Sequence, residues 1–569
     1  MRVDQKAEGP RQSMSWLHTW ASLILGWLLY AIFVTGTLSF FQNEISTWMK
    51  PETHKSVPAQ SQVQQMQIAL NYLQKNHPDA GSWNIQLPNS RQTTTEVTIR
   101  AVGEDPKARR GGTRITLDSA TGEVIKPRDT RGGGFLYRFH FELYGLPRLW
   151  TRWLVGIATM FMLVAIVSGI ITHKKIFIDF FTFRSGKGQR SWLDAHNATA
   201  VFALPFHLMI TFSGLLLLMF MFMPWGINQA YENRQQFLRD QQASMIEQPK
   251  KAEDVPREGE RTDRGERGQQ HGEHAQGRGE ERPKPELRPA PLTDLAPIMA
   301  AVQQQWKDNP IASINIISPN TDQAKIELRA LRAESVAHRN VYATLNYNGV
   351  TGQDETDKNI RIKNPSIPSG IYNVVTVLHE ARGLDLALRW LLFCSGILGT
   401  LMVATGLILW CIKRAPQQQK QGYKSFGFRL VEVLNIAAII GLPLACAAYF
   451  YANRFIPADV EMRLNWEIRS FFTVWLLTLI YAIFRNHRQA WLDLLLLATL
   501  AFALLPVVNL MTGGQALWNS IPQGQWMIAS VDLAMWVMAV IFYFAYDKVK
   551  KHQGLPNKKV KVPVQEAEA

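Results

Sequence analysis

The chain has 569 residues, 47% of them hydrophobic and 18 of them Trp, with a formal net charge of +15. A mean hydropathy of -0.09 averages two populations, apolar runs of membrane length and strongly polar stretches. The three cysteines (Cys394, Cys411, Cys446) all fall inside apolar runs, which excludes a disulfide or Cys-based metal framework. The positive charge sits in loops beside those runs, so it needs no nucleic acid to explain it.

A membrane helix needs about 20 apolar residues, and eight stretches qualify: 16–41, 149–172, 193–223, 384–412, 428–451, 470–484, 491–511 and 527–547, the sixth being the least secure. Residues 1–41 hold the N-terminus and helix one, which runs into Phe40, Phe41 and Trp48 with no small-residue cleavage site and reads as an uncleaved anchor. Residues 42–148 form a domain outside the membrane. There "SQVQQMQIALNYLQKNHPD" has helical spacing, while "TEVTIRAV" and "TRITLDSATGEVI" alternate as strands of hairpins. Residues 149–223 carry helices two and three around a basic cytoplasmic loop.

Residues 224–291 form a linker, charged and Pro/Gly-rich from Glu247 to Pro291, whose composition predicts disorder. Its His271 and His274 offer at most a loose metal site. Residues 292–383 repeat the plan of the first outer domain, with helical "LTDLAPIMAAVQQQWKDNP" followed by alternating "AKIELRAL" and "NVYATLNYNGVTGQDE". Helix four spans 384–412, helices five to eight occupy 413–547, and 548–569 is a Lys-rich tail. Basic residues set the orientation: Arg2, Lys6 and Arg11 precede helix one, Lys174, Lys175, Arg184, Lys187 and Arg190 follow helix two, and Lys413, Arg414, Lys420 and Lys424 follow helix four. The positive-inside rule then puts both termini in the cytoplasm and both domains on the far side of the membrane.

The most informative feature is an internal repeat. His18 and Thr35-Gly36 of helix one are spaced as His196 and Ser213-Gly214 of helix three. Arg152-Trp153 and Ser168-Gly169 of helix two are spaced as Arg389-Trp390 and Thr405-Gly406 of helix four, with His140 and His379 ahead of those helices. The repeating unit is helix, outer domain, helix. Helices five to eight lack the pattern.

The four Ser/Thr-Gly pairs have a plain reading as packing sites, since small residues let membrane helices approach. The histidines are harder to dismiss. Of 13, six (His18, His140, His173, His196, His207, His379) lie in or beside the first four helices, and ionisable groups at membrane depth are costly and usually functional. His196 and His207 fall three turns apart, about 16 Å along one helix face at the standard rise. That geometry suits two stacked haems, each taking one imidazole from helix three and one from a neighbour. His173 is the preferred inner partner, with His18 close behind; the outer partner is His140 or His379. Zinc would want its ligands in one cluster with acidic company, and any single histidine has a structural reading.

The segments "SWLHTWASLILGWLLYAIFVTGTLSFF", "GIITHKKIFIDFFTFRSGKGQRSWLDAHNATAVFALPFHLMITFSGL" and "RWLLFCSGILGTLMVATGLILWCIKR" resemble the PepSY-associated transmembrane helix family, the iron-regulated membrane proteins, over residues 10 to about 415. The resemblance implies a polytopic α-helical membrane protein of about eight transmembrane helices with two periplasmic α+β PepSY-like domains, in a bacterial inner membrane. It further implies haem b, two groups by the spacing above, and transmembrane electron transfer to a periplasmic ferric siderophore or other Fe(III) complex. The family's histidines match His18, His140, His196 and His379. The electron donor would be quinol from the membrane lipid or a cytoplasmic reductant. For haem propionates the candidates are Arg152 and Arg389 outside and Lys175 and Arg190 inside, each with interfacial anchoring as the alternative. No Rossmann glycine pattern or P-loop occurs. The competing classes are a membrane-anchored PepSY protein-binding or regulatory module and a transporter built on duplicated helix pairs.

Overall fold

The computed structural model describes residues 9–58, 61–108, 111–173, 176–179, 183–184, 186–229, 231–232, 234–243, 245–247, 287–358 and 361–552. Lys175, His271, His274 and most of the charged linker lie outside the described residues, as does the tail after 552. The chain divides into two units, one of Met1–Lys55, Lys126–Pro224 and Leu378–Ala569, the other of Ser56–Ile125 and Trp225–Val377.

The first unit is helical. Its elements are α1 (Pro10–Ile24), α2 (Gly26–Ser39), α3 (Gln42–Trp48), α4 (Gly133–Glu142), α5 (Arg148–Thr172), α6 (Gln189–Phe202), α7 (Leu204–Leu217) and the end of α8 (Ile367–Glu380), then α9 (Leu386–Gln421), α10 (Phe426–Phe455), α11 (Arg463–Phe484), α12 (His487–Met511) and α13 (Trp526–Lys551). Among the described residues, α5 and α9 to α13 are six helices long and apolar enough to cross a membrane. The pairs α1–α2 and α6–α7 pass the same test jointly but bend by 64° and 66°, which gives eight spans if each pair is one. Side chains such as Leu154, Ile157 and Met160 of α5, Leu497, Leu500 and Leu504 of α12, and Val537, Val540 and Ile541 of α13 are exposed. So much bare apolar surface is what lipid covers, and the protein is a polytopic membrane protein.

The two bends fall at matching places, at Leu25 after His18 and at Ala203 after His196. In the second, Pro205 stands in the first turn of α7 and has no N–H to continue the ladder from α6. In the first, Gly26 opens α2 where a Cβ would stand 2.7 Å from Cδ2 of Leu407, so a larger residue would displace the Leu407 side chain of α9. Proline acts again in α10, where Pro443 frees the carbonyl of Ile439 and the Tyr30 hydroxyl donates to it at 3.1 Å. The last four helices also seat α4. Phe135 lies 5.0 Å from Tyr449 and 5.1 Å from Phe471, ring centre to ring centre, and the Tyr449 hydroxyl donates to Gly132 O at 3.0 Å.

The second unit is built on a sheet of seven strands: β1 (Ser82–Gln86), β2 (Thr95–Arg100), β3 (Thr113–Leu117), β4 (Val124–Ile125), β5 (Ile311–Ile317), β6 (Lys325–Ala330) and β7 (Thr344–Asn348), in the order β4-β3-β2-β1-β5-β6-β7. All pairs are antiparallel. Alternation sends Trp83, Ile85, Val97, Ile314, Ile316 and Leu328 to one face, where they pack on helices Gln62–Asn76 and Leu295–Trp306. The two similar turn sequences fold alike, with Gly122 donating to Asp118 O at 2.9 Å and Gly352 to Asn348 O at 3.0 Å, both glycines at positive φ.

The sequence reading separated outer domains at 42–148 and 292–383. Instead the two halves share one sheet, because β1 and β5, each the open edge of its own half, pair with Trp83 opposite Ile316. Pairing removes two exposed strand edges at once. Residues 42–55 and 126–148 belong to the helical unit.

Candidate functional site

Four of the six predicted histidines are seated in one way. The Nδ1 of His18 lies 2.8 Å from Ala165 O of α5, and that of His196 lies 2.9 Å from Met402 O of α9. The Nδ1 of His140 lies 2.8 Å from Ile32 O of α2, and that of His379 lies 2.6 Å from the Ser213 hydroxyl of α7. A carbonyl only accepts, so in the first three Nδ1 carries the proton and Nε2 keeps its lone pair. Ser213 donates its own proton to Met209 O at 2.6 Å, which leaves its oxygen to accept from His379 in the same sense.

The Ser/Thr-Gly pairs are the seats. Gly169 faces His18, Gly406 faces His196, Gly36 faces His140 and Gly214 faces His379, with a Cβ at each coming 3.1, 3.1, 2.6 and 3.5 Å from the ring. The neighbouring hydroxyls of Ser168, Thr405 and Thr35 are held by carbonyls one turn back, at 2.6, 2.7 and 2.7 Å. The glycine makes room for a ring, and the carbonyl or hydroxyl beside it fixes the ring's tautomer. Both halves of the repeat use corresponding helices for this: α1 against α5 as α6 against α9, and α4 against α2 as α8 against α7, the last through a hydroxyl and with a looser glycine contact.

The same symmetry brings the rings together in twos. His18 and His196 have ring centres 6.3 Å apart, and His140 and His379 have theirs 6.1 Å apart. Among the described residues none of these four Nε2 atoms has a hydrogen-bond partner. Burial lowers the His140 pKa, and burial together with His140 pushes that of His379 down to about 3, which favours the neutral ring at both. Two metal–imidazole bonds of about 2.0–2.1 Å, plus the step from each nitrogen to its ring centre, span roughly 6 Å. The ring-centre spacings are of the size that two imidazoles sharing one metal ion would have, and the anchoring carbonyls and the Ser213 hydroxyl are of the kind that orient such ligands. The donors come in twos: among the described residues no group of three or more His, Cys, Asp or Glu is set to hold a metal ion.

His196 thus faces His18, not His173, and His207 belongs to neither pair. The expectation that His196 and His207 stack two haems along one helix face assumed a straight helix; a 66° bend at Ala203 lies between them, and both line one cavity with His18 and His173. His207 is buried, 6.2 Å from Phe33 ring to ring, and neither ring nitrogen makes a hydrogen bond of ordinary geometry. His173 caps the end of α5 and lines the same cavity as His18 and His196. His140 and His379 reach the bundle on the separate short helices α4 and α8. Gly145 and Gly383, at φ 86° and 75°, turn the chain before α5 and α9.

The arginines are committed elsewhere. Arg389 pairs with Glu44 at 2.9 Å, both buried, and Arg152 pairs with Glu142. Arg190 sits 3.6 Å from Asp194 on the exposed start of α6. Each guanidinium already has its carboxylate, which weighs against a propionate role for Arg152 and Arg389.

The His18–His196 pair opens onto a cavity of about 310 Å³. Met162, Ala165, Ile166, Val201 and Met402 line its apolar part, while Trp410, Lys413 and Arg414 also border it. Sequence reasoning missed these last three and the role of Ser213. Its only signal for Ser213 was the Ser-Gly spacing, which it shared with ordinary helix packing.

Bent and continuous spans that exchange imidazole–glycine contacts define a duplicated membrane bundle with two paired-histidine centres. The chain belongs to the family described as PepSY-associated TM region, which matches residues 15–413 and so ends before the last four helices. No curated protein matches it.

Proposed function

We propose that the protein is an inner-membrane b-type haem protein that carries electrons across the membrane to reduce a periplasmic ferric siderophore or other Fe(III) complex. The observation behind this reading is the pair of matched imidazole couples, each ring with Nδ1 anchored and, among the described residues, Nε2 without a hydrogen-bond partner. Haem b at each couple would supply one-electron chemistry at a potential set by its burial and axial ligands. The chain's own part is to hold four neutral imidazoles in fixed tautomers, through Ala165, Met402, Ile32 and Ser213. It also keeps water from both centres with an apolar bundle. The positive-inside rule supports a reading in which the His18–His196 couple faces a cytoplasmic or quinol donor and the His140–His379 couple the ferric substrate.

The test is spectroscopic. Protein purified from cells supplied with haem precursors should carry two haems per chain and show a Soret band that sharpens and shifts on dithionite reduction. Addition of a ferric hydroxamate should then reoxidise it. Protein that is folded, has all four histidines and binds no haem would return the chain to the class of membrane-anchored binding modules.

A further inference from the structure

The cavity beside the inner couple has two chemically different ends. One is formed by the start of α2 and α7, where Leu29, Leu204 and the ring of His207 meet. The other lies at the beginnings of α1 and α6 and the far part of α9, with Ser15, Gln189, Trp410, Lys413 and Arg414. At this second end the donors outnumber the acceptors. Trp410 Nε1–H is buried with no hydrogen-bond partner. The Arg414 guanidinium carbon lies 4.0 Å from the Trp410 ring centre, and among the described residues its one hydrogen bond is a long 3.5 Å contact with Trp410 O. Among the described residues no carboxylate pairs with Arg414 or Lys413, in contrast to Arg152 and Arg389.

A buried donor without an acceptor is costly, and cations that flank one at a cavity mouth make a site for an anion. The position of the anion is also constrained. It must belong to something that fills an apolar cavity between two imidazoles and ends in negative charge at one edge only.

We propose that Trp410, Lys413 and Arg414 form the carboxylate-binding rim of the inner haem site and so fix the orientation of the macrocycle. Both propionates face this mouth, and the apolar edge points toward Leu29, Leu204 and His207. The inference rests on the haem reading above and assigns residues outside the histidine couples. Two cations and one N–H match two carboxylates, so the charges of the rim and the propionates balance. Lys413 is exposed and contributes less than Arg414, whose guanidinium is fixed by the indole beneath it.

The full-length protein in detergent carries the test, with haem transfer to apomyoglobin and a potentiometric titration as readouts. Arg414→Gln should release the inner haem about tenfold faster, as expected for loss of one charge-assisted hydrogen bond. The inner midpoint potential should fall as well, because reduction adds negative charge beside a site that has lost a cation. Arg414→Lys should restore most of both values, and Trp410→Phe should change retention while leaving the charge alone. The outer haem should keep its retention and potential throughout. Unchanged inner retention and potential in an Arg414→Gln, Lys413→Gln double variant would overturn the rim. Wild-type protein that binds no haem would instead sink the reading beneath it.

Discussion

The His140 ring lies against Gly36 so closely that a Cβ there would come within 2.6 Å of both Cε1 and Nδ1. That contact, with the 2.8 Å bond to Ile32 O, fixes His140 on α2. Its symmetry mate is looser, since a Cβ on Gly214 would stand 3.5 Å from His379. The difference separates two substitutions that look equivalent in the sequence. Gly36→Ala should displace His140 and reduce outer-site haem, whereas Gly214→Ala makes only an ordinary contact and should retain it. Haem-to-protein ratios of the two variants check this, and equal loss in both would contradict it.

His207 and His379 make a second contrast. His379→Ala should lower the haem ratio by one. His207→Leu should leave both haems, because His207 belongs to neither couple. Burying a polar ring without hydrogen bonds costs roughly 1–3 kcal/mol, so the leucine variant should be as stable as wild type or more so. Thermal unfolding and the pyridine haemochrome ratio are the measurements. Loss of a haem in His207→Leu would restore the stacked reading of one helix.

How far the sequence reached can be followed through these residues. The repeat singled out His18, His140, His196 and His379, because spacings survive duplication and membrane burial makes an imidazole conspicuous. The spans were legible from hydropathy, and the outer strands from alternation. The pairing was not legible. It depends on the bends at Leu25 and Ala203, of which only Pro205 left a mark in the sequence. The acid partner Glu44 was equally hidden, since an ion pair between residues so far apart as Glu44 and Arg389 leaves no spacing to read. The merger of both outer halves rests on backbone pairing of β1 with β5, where neither strand differs in pattern from an ordinary edge.

His54 gives a pH dependence outside the spans. Its ring accepts from Gln515 N at 3.3 Å through Nδ1 and donates from Nε2 to Thr47 O at 3.0 Å, so the fold requires neutral imidazole. Burial, and then Arg454, push its pKa down to about 3. With the folded value below the unfolded one of about 6.5, the unfolded chain takes up the proton first. The contribution is complete above about pH 6.5 and is lost progressively as pH falls toward 3. At about pH 5 the loss is on the order of 2 kcal/mol. Melting temperatures in detergent should fall between neutral and mildly acidic pH. In His54→Gln the slope should flatten, and an equal slope in both proteins would exclude His54 as its source.

The last four helices lie outside the family match, yet they hold part of the site. Glu467 and Arg463 of α11 form an ion pair with side chains 0% and 1% exposed. Glu467 also accepts from Asn453 at 2.8 Å and from the Thr130 hydroxyl at 2.7 Å, and Arg463 donates to Asp129 O at 2.7 Å. Asp129 and Thr130 lead directly into α4, the helix of His140. Glu467→Ala would strand a buried guanidinium, and removing one partner of such a pair costs about 3–5 kcal/mol. The strain should pass first to α4, so the outer couple should loosen before the inner one. The expected result is a lower melting temperature, with outer-haem signals broadened or lost while those of the inner haem persist. Simultaneous loss of both would show that these helices support the whole bundle and not the seat of His140.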